Sequence, residues 1–312
     1  MPVEIIAEIG INHNNSEADA VRLIDAAIDA GANTVKFQAS VPENEVSAFH
    51  APEHLALIRQ VIPSFEFLAT MKHYCDVAGV EFLCTPAEEV SLDFLVKLGV
   101  KRIKVGSDNL TNSPFLREVA KTELPVLLST GMGNDADFDN ALVALEDRLD
   151  IVIMQCVTSY PSPVQDSNLA VFNSWHPPYG MSDHTTTLHL PSVAVALGAT
   201  VIEKHITLDP DADGPDHAAS LSPRQFGEMV KMVRQTELAI GDGIKRPMPS
   251  EIANMAIVRK SVVAKFAIAD GDEFTPNNLA VMRPGTGRPP RDVDVLIGRK
   301  STRRYAAGEM ID

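Results

Sequence analysis

The chain of 312 residues carries 27 Lys and Arg against 42 Asp and Glu, a net charge of −15 with a pI near 5.0. That balance excludes a nucleic-acid binder or a membrane-surface protein that works through a basic face. Hydrophobic residues at 45% and charged residues at 22% fit an ordinary soluble protein with a real core, and the length suggests one large domain plus a small one, or two medium ones.

In chain order, residues 3–9 read as a strand closed by Gly10 and the polar run Asn12 to Asn15. Ser16, with Asp19 three residues on, predicts a helix cap, and helical periodicity follows over 18–30. Residues 34–38 form the second strand. The stretch 39–63, punctuated by Pro42, Pro52 and Pro63, predicts a loop with a short helix. The alternation then becomes regular: helix over 64–78, strand over 80–84, helix over 88–98, strand over 102–105, and a helix over 113–121 opened by Ser113-Pro114. Strands over 126–129 and 151–156 flank a helix over 135–149. A stunted helix over 168–175, a strand over 179–182, a helix over 188–197, a strand over 201–205 and a helix over 223–240 complete the series.

Eight strands alternating with helices over about 240 residues predict an α/β fold of the (β/α)8 barrel type. No GxGxxG follows the first strand and no GxxxxGK[ST] occurs, so a nucleotide-binding open sheet lacks its main support. The expected organisation is a catalytic barrel over 1–241, a Gly- and Pro-rich linker over 242–255, and a small β-rich domain over 256–312 whose thin core needs something to dock on. Cys75, Cys84 and Cys156 show no CxxC spacing and predict reduced thiols in a cytoplasmic protein. No segment approaches the ~18 apolar residues of a membrane span, and the N-terminus lacks the basic region of a standard signal peptide.

Active sites of such barrels gather at the C-terminal strand ends. There the sequence places Glu8, Lys36, Thr85, Lys104 with Ser107, Ser129, Thr158 with Tyr160, Ser182 with His184, and His205. A lone histidine or a threonine before proline is more often structural, but a polar residue at every strand end is not explained that way. His184 and His205 end neighbouring parallel strands, where two imidazoles can meet on one ion. Lys36 and Lys104 each follow a β-branched residue inside a strand and predict a cationic pocket for phosphate and carboxylate. Asp216 and His217 lie in a Gly-Pro loop of the kind that carries site residues.

These strings resemble the sialic acid synthase family, the phosphoenolpyruvate-condensing enzymes that make nine-carbon sugar acids. The matches run from Ala7 to His13, Val35 to Gln38 and Phe82 to Pro86, through Leu110-Thr-Asn112, Leu128 to Met132 and Ser159-Tyr-Pro161. They continue through Ser182-Asp-His184, Glu203-Lys-His205 and Gly214 to His217, and end at Arg283 to Gly287. The resemblance implies a C-terminal antifreeze-like (SAF) domain that caps a partner's barrel in a domain-swapped homodimer. It implies that His184 and His205 bind a divalent ion, Mn2+ first, with Mg2+ or Co2+ as alternatives. It further implies that Lys36, Thr85, Lys104, Ser107, Ser129 and Ser182 hold phosphoenolpyruvate, with Thr158 nearby. Glu8, Tyr160 and Asp216 would face the amino sugar, Glu8 would handle protons, and Arg283 would come from the partner's cap.

Three departures stand out. Many members read Ser-Gly-Glu or Ser-Gly-Asp where this chain has Ser107-Asp108-Asn109; the region after Gln38 is shorter; and the helix after the sixth strand is reduced. N-acetylmannosamine is the first expected sugar, with a 2,4-diacetamido hexose leading to legionaminic or pseudaminic acid as the alternative. A Schiff-base aldolase using Lys36 or Lys104 and a non-catalytic carbohydrate-binding protein are the remaining readings.

Overall fold

A computed structural model describes residues 2–146, 150–176 and 178–312. The chain divides into two compact units, Met1–Gly241 and Asp242–Asp312. The first holds eight parallel strands: β1 (Glu4–Gly10), β2 (Thr34–Ala39), β3 (Glu81–Pro86), β4 (Ile103–Val105), β5 (Val126–Ser129), β6 (Ile151–Cys156), β7 (Tyr179–Asp183) and β8 (Val201–His205). Their order is β3-β2-β1-β8-β7-β6-β5-β4, the expected α/β barrel. Among the described residues β3 and β4 share no backbone ladder. That seam is fastened by side chains instead, with Arg102 Nε donating to Glu81 Oε1 at 2.7 Å at one end and Asn109 Nδ2 donating to the Ala87 carbonyl at 3.0 Å at the other.

Alternation of side chains along each strand sorts the sequence into layers. Outward residues such as Ile5, Ala7, Val35, Phe37, Phe82, Val105 and Leu128 pack under the helices in one continuous core. Inward residues form three tiers. Glu4, Glu81 and Arg102 close the floor, where Arg102 pairs with both carboxylates. Ile6, Leu83, Leu127, Met154 and Val201 fill the middle. Two residues further along the same strands come Glu8, Thr85, Ser129, Cys156 and Glu203, so the tier above the apolar plug is polar.

Helices start where capping chemistry permits. Ser16 accepts from the Asp19 N–H ahead of the helix Glu17–Asp29, and Asn112 does the same for Ser113–Lys121. The stretch 39–63 holds two helices, Pro42–Glu45 and Pro52–Val61, rather than one. In both, the proline that reads as punctuation sits in the first turn, where its missing N–H costs nothing. The stunted helix after β6 is instead a pair of 3-10 turns, Val164–Ser167 and Leu169–Asn173, because Asn168 between them has φ +43° and breaks the right-handed path. The helix over the seventh crossover is Leu190–Ala196, shorter than expected, with Pro191 in its first turn. The helix expected over 135–149 spans Asp135–Ala144, and its expected end at 147–149 lies outside the described residues.

The second unit has an antiparallel pair, β9 (Ser261–Ala264) with β10 (Leu279–Met282), and isolated bridges that include Ile268 to Tyr305. Its core is Val262, Ala264, Ile268, Phe274, Leu279, Leu296, Tyr305 and Ile311. The stretch expected as linker contains most of a helix, Pro249–Val258, that buries none of its residues. No described helix is long and apolar enough to cross a membrane.

Gly180 shows how tight the barrel interior is. A Cβ there would meet the Val201 carbonyl at 2.5 Å and Met154 Sδ at 2.7 Å. Gly180→Ala is expected to lower unfolding stability by about 1–3 kcal/mol, read by urea denaturation; an unchanged midpoint would show that the strands yield at no cost.

Candidate active site

The polar tier lines a cavity of about 250 Å³ at the C-terminal end of the barrel. Glu8, Lys36, Thr85, Lys104, Ser107, Ser129, Thr158, Tyr160, Ser182, His184 and His205 all line it, so the structure brings together these residues from β1 to β8 and the loops that follow them. Asp216 adjoins them, with Oδ2 3.7 Å from His205 Nδ1. Gly10 (φ +54°) stands behind this corner, where a Cβ would press on Glu8, Gln38 and Asp216 at 3.0–3.3 Å. Arg283 belongs to the second unit, where its Nε donates to the Val258 carbonyl at 3.1 Å.

Two residues missing from the sequence reading organise the pocket. The first is Glu203. Its Oε1 accepts from Lys104 Nζ at 3.1 Å and Ser182 Oγ at 2.9 Å, and lies 3.7 Å from Lys36 Nζ. Its Oε2 is buried with no hydrogen-bond partner. The second is Gln38, whose Nε2 donates to Glu8 Oε1 at 2.9 Å. Lys36 completes the network by donating to Thr85 Oγ1 at 2.9 Å and pairing with Glu8 Oε2 at 3.0 Å. Both missed residues lie two positions from a recognised one, Glu203 before His205 and Gln38 after Lys36. Period-two facing was the signal that could have found them.

The two carboxylates sit in opposite electrostatic states. Burial pushes the Glu8 carboxyl above its ordinary range, against the pull of Lys36. Burial opposes ionisation of Glu203 too, but Lys104 and Lys36 together hold it down to about 2. One group can therefore exchange a proton while its neighbour stays charged, a separation that suits acid–base work. For Lys36, burial is outweighed by Glu203 and Glu8, which raise its pKa and keep it an ammonium. A Schiff-base nucleophile needs the reverse shift, so the aldolase reading loses Lys36.

On the opposite wall the His184 and His205 rings lie 5.3 Å apart, with Tyr160 packed 4.1 Å from His184. His184 Nδ1 lies 2.7 Å from the Val157 carbonyl; donating to it leaves Nε2 as the basic nitrogen. Burial, then the neighbouring His184 and Lys36, keep His205 neutral, and its buried Nδ1 has no hydrogen-bond partner. Two imidazoles side by side fit a divalent ion. Among the described residues no group of three His, Cys, Asp or Glu gathers for one, so water and substrate oxygens would supply the other positions, as at an open catalytic site. Facing away from the cavity, Lys204 and Asp183 form a fully buried pair at 2.6 Å, and Lys204 also donates to the Thr185 carbonyl.

Near β5, Ser107, Gly131 and Thr158 converge. The Gly131 N–H donates to Ser107 Oγ at 3.0 Å, and a Cβ on Gly131 would strike Thr158 Oγ1 at 2.3 Å. The Ser129 hydroxyl is buried in the pocket wall with no hydrogen-bond partner. Cys156 lines the same wall, 3.5 Å from Ser107 Oγ.

Residues 23–245 match the NeuB family. The chain belongs to the NeuB family. Residues 259–312 of this NeuB-family protein match the SAF domain. It is 38% identical to the N,N'-diacetyllegionaminic acid synthase of Campylobacter jejuni, over 98% of each chain. It is 35% identical to the human N-acetylneuraminate-9-phosphate synthase, over 96% of this chain and 88% of that one. The crystal structure of the sialic acid synthetase of Leptospira borgpetersenii superposes with a TM-score of 0.77 at 30% identity, covering 82% of this chain and 90% of that one. Relatives named for an activity are synthases, and this NeuB-family chain is an enzyme of that kind, which removes the binding-protein reading.

His13, in the loop after β1, packs 4.7 Å from the Phe67 ring, and burial lowers its pKa to about 4. Between pH 6.5 and about 4 the unfolded chain takes up a proton that the folded chain refuses, so stability falls as pH falls. The full effect is about 3 kcal/mol. Urea denaturation at pH 7.5 and pH 5 should show a smaller loss in His13→Leu than in wild type; equal losses would remove His13 as the cause.

Proposed function

We propose that the enzyme condenses phosphoenolpyruvate with N-acetylmannosamine, or a related N-acetylated amino hexose, to give a nine-carbon 2-keto sugar acid and phosphate. One observation carries this reading: Lys36, Lys104 and Ser182 gather around a single carboxylate oxygen of Glu203, in a cavity also lined by the paired His184 and His205 rings. That is a preformed anion site next to a place for a cation. Lys36 and Lys104 are the charges for phosphate and carboxylate, and Thr85, Ser107, Ser129 and Ser182 are the neutral donors around them. The unpartnered Ser129 hydroxyl gains a partner when an anion enters.

His184 and His205 would hold the divalent ion, Mn2+ first. When bound, it supplies Lewis-acid polarisation of the open-chain sugar aldehyde. C3 of phosphoenolpyruvate forms the new bond to the aldehyde carbon, water adds at C2, and collapse of the tetrahedral adduct breaks the C–O bond to phosphate. The lysines balance the anionic groups throughout. Glu8, whose carboxyl is raised by burial, is the group that can take or give a proton at these centres. Tyr160 and Asp216, on the imidazole side, face the sugar.

The Campylobacter relative supports a second sugar, a 2,4-diacetamido hexose. Charge distribution supports a homodimer in which the SAF unit serves a partner's barrel. Residues 242–312 hold 12 of the 27 Lys and Arg but 9 of the 42 Asp and Glu, giving that unit +3 and leaving −18 for the barrel. Opposite signs favour their association, and Arg283 would then reach the partner's site.

Phosphate release from phosphoenolpyruvate is expected to need both an amino sugar and metal. EDTA should abolish it, Mn2+ should restore it, and mass spectrometry should show the nine-carbon acid. Silence with both sugars in the presence of Mn2+ would refute the condensation, and release that survives EDTA would refute only the metal. Arg283→Ala should lower kcat/KM on the order of 10- to 100-fold in a protein that light scattering still reports as a dimer. A monomeric wild type, or full activity in the variant, would refute the shared site.

A further inference from the structure

Asp108 sits in the wall of the catalytic cavity without a close ion-pair partner among the described residues. The described lining contains two ammonium groups, Lys36 and Lys104, and three carboxylates, Glu8, Asp108 and Glu203. Glu8 has Lys36 at 3.0 Å and Glu203 has Lys104 at 3.1 Å. Asp108 has no cation within 4.0 Å among the described residues, although it lies on the exposed side of the cavity wall.

Its carboxylate is held in place. Oδ2 accepts from Asn109 Nδ2 at 3.0 Å, and Asn109 is itself buried, donating to the Ala87 carbonyl at 3.0 Å and accepting from Asn112 Nδ2 at 2.8 Å. Oδ1 lies over the backbone of Gly106, where a Cβ would sit 2.3 Å from it. The carboxylate is thus fixed against the end of β4, with an oxygen available to the cavity.

We infer that Asp108 is a specificity-determining residue that selects an uncharged amino sugar and turns away one that carries a phosphate. The inference rests on the condensation proposed above. Phosphoenolpyruvate already calls on both lysines, and the described wall has no third ammonium or guanidinium group for another phosphate. A fixed negative charge at the cavity wall repels a second dianion. A sugar hydroxyl or acetamido N–H can instead donate to Asp108, and a phosphate oxygen cannot. The contrast matters within this family, because the human relative is named for a 9-phosphate product.

The test compares kcat/KM for N-acetylmannosamine and N-acetylmannosamine 6-phosphate in the full-length enzyme. Wild type should prefer the neutral sugar by about 100-fold or more. Asp108→Asn should narrow that ratio at least about tenfold, mainly through a lower KM for the phosphorylated sugar, while Asp108→Glu should keep it. A ratio unchanged in Asp108→Asn, or a wild type that uses both sugars equally, would overturn the inference. If neither sugar turns over and a 2,4-diacetamido hexose is silent as well, the condensation itself is refuted. The two Kd values, read by isothermal titration with phosphoenolpyruvate present, then decide on Asp108 alone, with equal affinities counting against it.

Discussion

Two ammonium groups held in the mouth of a barrel with an apolar plug beneath them form the constraint on which the rest of this structure depends. Neither Lys36 nor Lys104 can be buried without a carboxylate in reach, and the carboxylates come from other strands, Glu8 on β1 and Glu203 on β8. The pairing of Glu8 with Lys36 and of Glu8 with His205 in the strand ladders puts Glu8, Lys36 and His205 at one height. A slip of one residue in β1 or β2 would turn its polar residue into the helix layer and bring a hydrophobic one into the pocket. Register, charge and chemistry are therefore fixed by the same pairings.

The barrel was legible because its evidence is local and repeated: apolar strand segments, caps and breaks recur in order along the first 241 residues. The recognised site residues were legible for a related reason, since strand ends are where such barrels keep their chemistry. What escaped was set by tertiary partners. Glu203, flanked by Ile202 and Lys204, reads as an ordinary strand carboxylate until the lysines of β2 and β4 are seen to converge on it. The side-chain closure of the β3–β4 seam depends on Arg102 and Asn109 meeting residues about 20 positions away. The 3-10 turns around Asn168 hinge on one left-handed residue, which composition does not reveal.

A protein with a net charge of −15 that handles anions must confine its positive charge. Here the confinement is severe: in the pocket wall the ammonium groups are already committed to carboxylates. An entering anion shares them with Glu8 and Glu203 instead of filling an empty positive hole. Such a site discriminates strongly among anions because little charge is left over. The side of the pocket away from the lysines, where Tyr160 packs on His184, is left for the uncharged part of the substrate.

The pair formed by Lys204 and Asp183 lies on the other side of the two strands that carry His205 at the end of one and His184 just after the other. A dry pair of this kind adds little net stability over a well-packed apolar pair, yet removing one partner leaves a stranded charge at a cost of about 3–5 kcal/mol. Substitution at either position alone is therefore close to forbidden, while joint replacement by two apolar residues is tolerable. Across descendants of this chain the two positions should be inherited as a unit. A lineage that exchanged both would have crossed a deep fitness valley, or passed it in one step.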